Sequence, residues 1–415
     1  MARPKVISLF TGAGGLDLGL EAAGFETAVA LELDADAVRT LRANRDWPVI
    51  DRDIHSVTSA DILEAGGIKE GEADLLAGGP PCQPFSKSGY WASGDAKRLE
   101  DPRSSTLEAY LRVLRDTKPR AFLLENVSGL AYKGKDEGLE LIRRSLDRIN
   151  KAVGVTYSVS YALLDAAKYG IPQERERFFI IGQREGKTFE FPRTTHAMPG
   201  ADGEVREVIR DHALEPYHTA WDAIGDLEDD DDATLRMTGK WAALLPSIPE
   251  GENYLFHTER GEGLPLFGWR RRYWSFLLKL AKTLPSWTIT AQPGSAIGPF
   301  HWKSRRLSER ELLRLQTFPE GYRVIGGRSS YQKQIGNAVP SALAEILGRE
   351  ILRMLGHKIH ARKPKLLPPR RTPVPQRERV RPVPKAYRAL AGEHEAHPGT
   401  GRGYGALLRS VVTRS

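Results

Sequence analysis

The chain has 415 residues, with 61 Lys+Arg, 53 Asp+Glu and a single cysteine, which predicts two or three domains with cores large enough to fold unaided. One cysteine excludes an intrachain disulfide and a cysteine-rich zinc site, and it points to a reducing compartment, the cytoplasm. The net charge of +8 sits in the tail, since His357 onward carries a surplus of +11 and the residues before it a balance of −3; a nucleic-acid arm and a merely solubilising tail are both open readings.

In chain order, "KVISLF" reads as a buried strand, followed by a glycine loop and a helix, "LDLGLEAAG". "ETAVALEL" is a second strand and "DADAVRTLRAN" a second helix. "EADLLAGG" is strand-like and runs into "GGPPCQPFSKSG", Gly78 to Gly89. "SSTLEAYLRVLRDT" is helical, "RAFLLENV" a strand, "GLELIRRSLDRI" a helix, and "RFFIIGQR" closes the series as a strand. Strands alternating with helices predict an α/β, doubly wound, mostly parallel sheet, whose ligands sit at the carboxyl ends of the strands. From about Phe191 to Arg305 the rhythm fails, and this irregular, tryptophan-rich stretch with an acidic run from Glu228 to Asp232 reads as a second, smaller domain. Helical periodicity returns in "LSERELLRLQTF" and, after a glycine turn, in "GNAVPSALAEILGREILRML". The Pro/Arg-rich segment beyond His357 reads as extended or disordered. The N-terminus is too short in apolar residues for a signal peptide, and no apolar run is long enough to span a bilayer.

Four places carry chemistry. In "SLFTGAGGLDLG", Gly12, Gly14 and Gly15 let backbone approach a ligand at a helix N-terminus. The dinucleotide fingerprint wants glycine at position 17, where this chain has Asp17, and no P-loop lysine follows. Glu32, 20 residues after Gly12, ends the second strand, where a carboxylate can hold both hydroxyls of a ribose. Together they predict a nucleoside-containing cofactor. Cys82 stands between prolines in a glycine-rich loop after a strand, so it reads as a held thiol and a nucleophile rather than a packed hydrophobe. Glu125 and Asn126 interrupt an apolar run at the end of a strand, where Glu125 can serve as a general acid or hydrogen-bond partner. Gln173, Arg175 and Arg177 share one face by the two-residue period and suit an anion or a carbonyl. "WRRRYWSF" interleaves aromatics with Arg270, Arg271 and Arg272, the pattern of a DNA-facing surface. His394 and His397 in "HEAH" mimic half a zinc motif, but their tail context predicts no metal.

These segments, in this order and over all but the tail, resemble the cytosine-5 DNA methyltransferases. "FTGAGG" is similar to that family's cofactor loop, "GGPPCQPFSKSG" to its catalytic loop, "ENV" to its cytosine-binding triplet and "QERERFFIIG" to its arginine strand. "RLSERELLRLQTFP" and "YQKQIGNAVP" are similar to its last two motifs. The resemblance implies the Rossmann-like fold of S-adenosylmethionine-dependent methyltransferases, with a discontinuous catalytic domain (1–190 and 328–356), a target-recognition domain with its hinge helix (191–327) and a basic tail (357–415). It implies Cys82, Glu125, Arg175 and Arg177 as catalytic. It implies S-adenosylmethionine contacts at Phe10, Gly12, Gly14, Glu32, Asp53, Ile54, Pro81, Leu107, Asn337 and Val339, with Leu33 where many members carry a large aromatic. Ser86 and Ser88 are implied as phosphate contacts. The implied enzyme is a monomer acting on double-stranded DNA in a prokaryotic cytoplasm, at the nucleoid while it acts, with a restriction endonuclease or other defence protein as its partner.

Among rivals, the RNA methyltransferases that use two cysteines are excluded by the single one. A tRNA-methylating branch with one catalytic cysteine stays open, although the size of the irregular stretch favours duplex DNA. A DNA-binding module without catalysis would have lost Cys82, Glu125 or the arginines, and a dehydrogenase is disfavoured by Asp17. If the tail is a nucleic-acid arm, deleting residues after about 360 is expected to spare catalysis and weaken salt-sensitive DNA binding.

Overall fold

Strand β1 (Lys5–Leu9) is buried over its last four residues and β2 (Glu26–Leu31) over its last five. Strands covered on both faces favour apolar side chains, which is why both read as mostly apolar runs, with buried Ser8 and Thr27 as the only polar members of those buried spans. In the computed structural model, which describes residues 2–81, 104–127, 137–200, 208–209, 212–227, 232–270, 273–359 and 363–392, they lie near one end of a seven-stranded sheet. Helix α1 (Gly15–Ala23) joins them. Helix α2 (Ala35–Asn44) follows β2, its first turn capped by the Asp34 carboxylate, which accepts from the N–H groups of Asp36 and Ala37. Then come β3 (Val49–Ile50), α3 (Ser59–Ala65), β4 (Leu75–Gly78), α4 (Ser104–Thr117), β5 (Ala121–Val127), α5 (Glu137–Val153), β6 (Ser160–Asp165) and β7 (Glu176–Gln183).

The strand order is β3-β2-β1-β4-β5-β7-β6. All strands run parallel except β7, which is antiparallel to both β5 and β6. The mostly parallel, doubly wound sheet expected from the alternation is therefore present, with one reversed strand. Three elements escape the sequence pattern. β3 has two residues, α3 is short, and β6 lies at the sheet edge with Tyr161 and Leu163 exposed, so it shows no buried run.

Successive residues of a strand face opposite sides of the sheet, and the two sides carry separate cores. Ile7, Leu76, Phe122 and Phe178 pack with Tyr110 of α4 and Ile142 of α5. Val6, Leu75, Leu123 and Phe179 pack with Leu16 and Leu20 of α1 and with Leu343, Leu347 and Ile351. Those last three belong to α9 (Ser341–Met354), so the chain returns to its first helix near its end. The two helices touch closely: a β-carbon on Gly19 would sit 2.2 Å from the Ser341 carbonyl oxygen.

Between the sheet and α9, the described residues form short pieces. They are β8 (His196–Ala197), β9 (Val208–Ile209), β10 (His212–Ala213), β11 (Glu215–Pro216), α6 (Ala220–Ile224), α7 (Glu309–Leu315) and α8 (Arg328–Asn337). Helix α8 falls where the sequence suggested only a turn; its apolar spacing is weak. Leu245, Tyr254, Phe276 and Phe300 anchor a separate apolar cluster in this stretch.

The segment beyond His357, read as extended or disordered, is extended over Lys363–Gly392 and docked along its length, with one helical turn, α10 (Lys385–Arg388). The N–H groups of Lys365 and Leu366 donate to the Glu345 carboxylate on α9, at 2.8–3.0 Å. Arg370 donates to Tyr217 O at 2.6 Å and to the Asp222 carboxylate at 3.1 Å. Glu378 accepts from Lys282 Nζ at 2.8 Å, beside Glu250 at 2.9 Å. Tyr387 stacks on Trp241 with an interplanar angle of 22° and donates to Lys240 O at 2.7 Å. This strap thus runs from α9 to the middle stretch.

Candidate active site

The cofactor loop follows β1. Phe10, Gly12 and Gly14 all take positive φ (55, 57 and 77°), a conformation that suits glycine and turns the chain sharply at the strand end. The Gly12 N–H donates to Glu32 Oε2 at 2.7 Å, and Glu32 Oε1 accepts from the N–H groups of Leu33 and Asp34, both at 2.8 Å. Glu32 is thereby fixed at the end of β2, facing the loop. A β-carbon on Gly12 would meet nothing within 4 Å, whereas one on Gly15 would lie 2.5 Å from Val339 O. One side of the loop is therefore open, and the other is closed by the segment leading into α9, in which Asn337 is exposed and Val339 buried. Asp53 caps the turn Ile54–Ser56, and hydrogen bonds from His55 hold its carboxyl below the usual range. Phe10, Ile54 and Leu107 share one apolar cluster, and Thr106 Oγ1 reaches Pro81 O at 3.3 Å. The expected cofactor residues thus come together around the loop. Their combination of a carboxylate, bare glycine backbone and apolar walls fits a nucleoside: ribose hydroxyls for Glu32, a flat base for Ile54 and Leu107.

Sequence reasoning took Asp17 only as a departure from a fingerprint. It is fully buried on α1, and burial raises its carboxyl to about 7, with the Ser8 hydroxyl opposing that rise. A charged residue at a helical position whose neighbours Leu16 and Leu18 are apolar was the available signal.

The second half of the site is built by the reversal of β7. Val127 pairs with Arg177 and Glu125 with Phe179. Because β7 runs against β5, its first residues meet the last residues of β5, and the arginines arrive at the carboxyl edge of the sheet. A parallel β7 would place them at the opposite edge. Arg177 Nε lies 2.9 Å from Glu125 Oε1, with the two side chains only 14% and 12% exposed. Burial pushes the Glu125 carboxyl above its ordinary value, and the guanidiniums of Arg177 and Arg175 oppose that push. Burial likewise lowers the Arg177 guanidinium, against the attraction of Glu125.

Arg175 is turned elsewhere. It is 1% exposed, and its guanidinium donates to Ile289 O at 3.1 Å and to Gly336 O at 2.6 Å. Gln173 also faces inward, donating to Leu315 O at 3.3 Å and accepting from the Ile289 N–H at 3.2 Å. These side chains tie the approach to β7 to the segments around Ile289 and Gly336.

The chain leaving β4 comes to the same place. A β-carbon on Gly79 would stand 2.7 Å from Glu125 Oε2, and Asn126 Nδ2 donates to Pro80 O at 3.3 Å. The loop leading to Cys82 therefore starts in contact with the Glu125–Asn126 pair. Cys82, Ser86 and Ser88 lie outside the described residues, as do Arg271, Arg272, His394 and His397. Arg270 is exposed, its backbone held by the Tyr254 hydroxyl at 2.8 and 3.0 Å, and Tyr273 and Trp274 beyond it are exposed aromatics. No helix among the described residues is long and apolar enough to cross a membrane. Gly79→Ala is expected to displace the Glu125 carboxylate and lower kcat about tenfold or more while leaving cofactor affinity unchanged. Single-turnover kinetics and calorimetric cofactor titration check this pair of outcomes.

A glycine loop facing a strand-end carboxylate at the ends of β1 and β2, beside a buried carboxylate–guanidinium pair at the ends of β5 and β7, is an arrangement suited to group transfer from a nucleoside-containing cofactor on a doubly wound sheet. The family model described as C-5 cytosine-specific DNA methylase matches residues 4–353. The chain is 40% identical over 376 residues to the Type II methyltransferase M.SacI of Streptomyces achromogenes, covering 85% of this chain and 93% of the relative. It is 31% identical over 355 residues to the Type II methyltransferase M.NgoFVII of Neisseria gonorrhoeae, covering 84% and 87%. Its fold is similar to that of the Dnmt2 methyltransferase of S. pombe, with a TM-score of 0.55 at 17% identity over 86% of this chain and 100% of that one. The chain belongs to the C-5 cytosine-specific DNA methylases: it is a DNA cytosine-5 methyltransferase, and S-adenosylmethionine is its methyl donor.

Proposed function

We propose that the protein methylates one cytosine within a short sequence of double-stranded DNA through a covalent adduct of Cys82, as the modification half of a restriction-modification system. The observation that carries this reading is the buried Arg177–Glu125 pair, 2.9 Å apart, in contact with the start of the cysteine loop. Carbon 5 of cytosine is a poor nucleophile and lies inside the duplex stack, so the base must first be extruded. The Cys82 thiolate then donates its electron pair to carbon 6, forming an S–C6 bond. Electron density moves to carbon 5 as Glu125 gives a proton to the ring nitrogen beside the exocyclic amine, from which it also accepts, and Glu125 takes that proton back when the thiolate leaves. Arg177 binds the ring carbonyl. Bound S-adenosylmethionine supplies an electrophilic methyl group, held by Glu32 at the ribose and by Asp53 and Ile54 at the adenine. The carbon 5 proton leaves to a base, and the S–C6 bond breaks to return the thiolate.

In this reading Arg175 positions rather than contacts the base, since its guanidinium is fully buried and its two terminal nitrogens donate to Ile289 and Gly336. Residues 1–190 and 328–356 form the catalytic unit, which the packing of α9 on α1 supports, and 191–327 form the recognition unit. Ser86, Ser88 and Arg270–Arg272 face the DNA. The sequences of the Type II relatives support a duplex DNA substrate. Bisulfite sequencing of genomic DNA from cells expressing wild type or Cys82→Ser tests the proposal. Methylcytosine at one short sequence, lost in the variant, is the expected result; methylation that persists in the variant would refute the adduct.

A further inference from the structure

Trp287 has no part in the chemistry above, yet its backbone is fastened to the catalytic edge. It lies in the stretch Ser286–Ile289, whose end residues are 0% and 1% exposed, while Trp287 itself is 44% exposed. The Ser286 N–H donates to Pro172 O and its carbonyl accepts from Glu174 N, both at 2.8 Å. Thr288 Oγ1 donates to Glu174 O at 2.7 Å. Ile289 accepts from Arg175 at 3.1 Å and donates to Gln173 at 3.2 Å. The Ser286 hydroxyl closes on the carbonyl of Trp287 itself at 2.8 Å. Both flanks of Trp287 are therefore stitched to Pro172–Arg175, the four residues before Glu176 and Arg177 begin β7.

A tryptophan on a segment held this way is not exposed because the chain is loose. Large aromatics usually contribute to a core, and here the two neighbours that do so are Ser286 and Ile289. Its segment is tied to the residues that lead into β7, and so to the edge of the sheet to which a duplex would bring a cytosine for Glu125 and Arg177, and its indole is partly open to solvent. Every nucleobase has a π-face, so an aromatic at that place suits a base without selecting which one. Extruding one base leaves its neighbours with an unstacked face, and apolar side chains commonly fill such gaps.

We infer that Trp287 is a DNA-contacting residue of the methylation step, its indole stacking on a base next to the extruded cytosine and sustaining the extruded state. The inference rests on the proposed duplex DNA substrate. The test uses a duplex carrying the sequence found by bisulfite mapping, with 2-aminopurine in place of the target cytosine, whose fluorescence rises when the base leaves the stack. Trp287→Ala is expected to reduce that rise and to lower kcat/KM for DNA by about 5- to 100-fold. Affinity for S-adenosylhomocysteine and the thermal midpoint stay at wild-type values, and Trp287→Phe recovers most of the loss. A Trp287→Ala protein with wild-type kcat/KM and a wild-type fluorescence rise would overturn the inference. Should that variant unfold, Trp287→Gln gives the same comparison with a side chain that cannot stack as an indole does. Failure of the underlying reading looks different: the wild type itself would then leave no methylcytosine in DNA.

Discussion

Glu125→Gln is expected to lower kcat for methyl transfer by about 10²–10⁴-fold, with cofactor affinity unchanged. The glutamine keeps the shape and can accept from Arg177, so the buried guanidinium 2.9 Å away is not stranded. What it lacks is a proton to give to the cytosine ring. Glu125→Ala is the less informative change, because leaving one buried partner alone costs about 3–5 kcal/mol and confuses folding with catalysis. The pH profile separates the two roles. Burial raises the Glu125 carboxyl, so the protonated form required for donation survives to higher pH than on a free glutamate and is lost as pH climbs through that raised value. Wild-type kcat should therefore fall on the alkaline side of that point, while the proposed attack by a Cys82 thiolate should make it rise from the acid side. In Glu125→Gln the descending limb should vanish. Single-turnover transfer of a radiolabelled methyl group across pH measures both, and an unchanged kcat with an unchanged profile would remove Glu125 from the chemistry.

Truncation after Lys358 is expected to destabilise the whole protein, on the order of 5 kcal/mol. The sequence alone suggested a dispensable arm, and the docked strap corrects that expectation. Truncation leaves Glu345, 0% exposed, without the two backbone N–H groups it accepts from. It removes Arg370 and Arg371 from Asp222, and Tyr387 from the Trp241 face, a stack worth about 0.5–1.5 kcal/mol. The Lys282–Glu378 contact counts for less, because the Glu378 side chain is 41% exposed and Lys282 keeps Glu250. Part of the tail's basic surplus is also spent within the molecule, on Glu215, Asp222 and Asp226. The urea midpoint of the truncated chain reports the loss directly. A midpoint equal to that of the full chain, with weakened low-salt DNA binding, would restore the arm.

The comparison of pattern with structure has a physical division. Strands buried on both faces, such as β1, β2 and β4, declare themselves because most of their buried residues are apolar, with only small hydroxyl residues such as Ser8 and Thr27 between them. The edge strand β6 does not, since half its side chains meet water. Candidate chemistry-bearing residues stood out where one broke the local pattern: Glu32 at a strand end, Glu125 inside an apolar run, the alternating Arg175 and Arg177. Their partners did not. No local signal says that β7 runs backwards, that Arg175 spends its hydrogen bonds on Ile289 and Gly336, or that a Pro/Arg-rich segment finds Glu345 and Trp241. Those facts depend on residues that meet only in the folded chain, as Arg175 and Gly336 do across 161 positions.

The contact between α1 and α9 also bears on how the chain is made. Gly19 leaves the ribosome 322 residues before Ser341, a delay of roughly 15–60 s at ordinary rates of synthesis. Throughout that time the face of α1 bearing Leu16 and Leu20 lacks its lid, and the cofactor loop lacks Val339 behind Gly15. The first unit to be translated is therefore among the last to finish folding. A nascent chain in this state shows apolar surface to every chaperone and protease in reach, and the enzyme is complete only after α9 has packed onto α1.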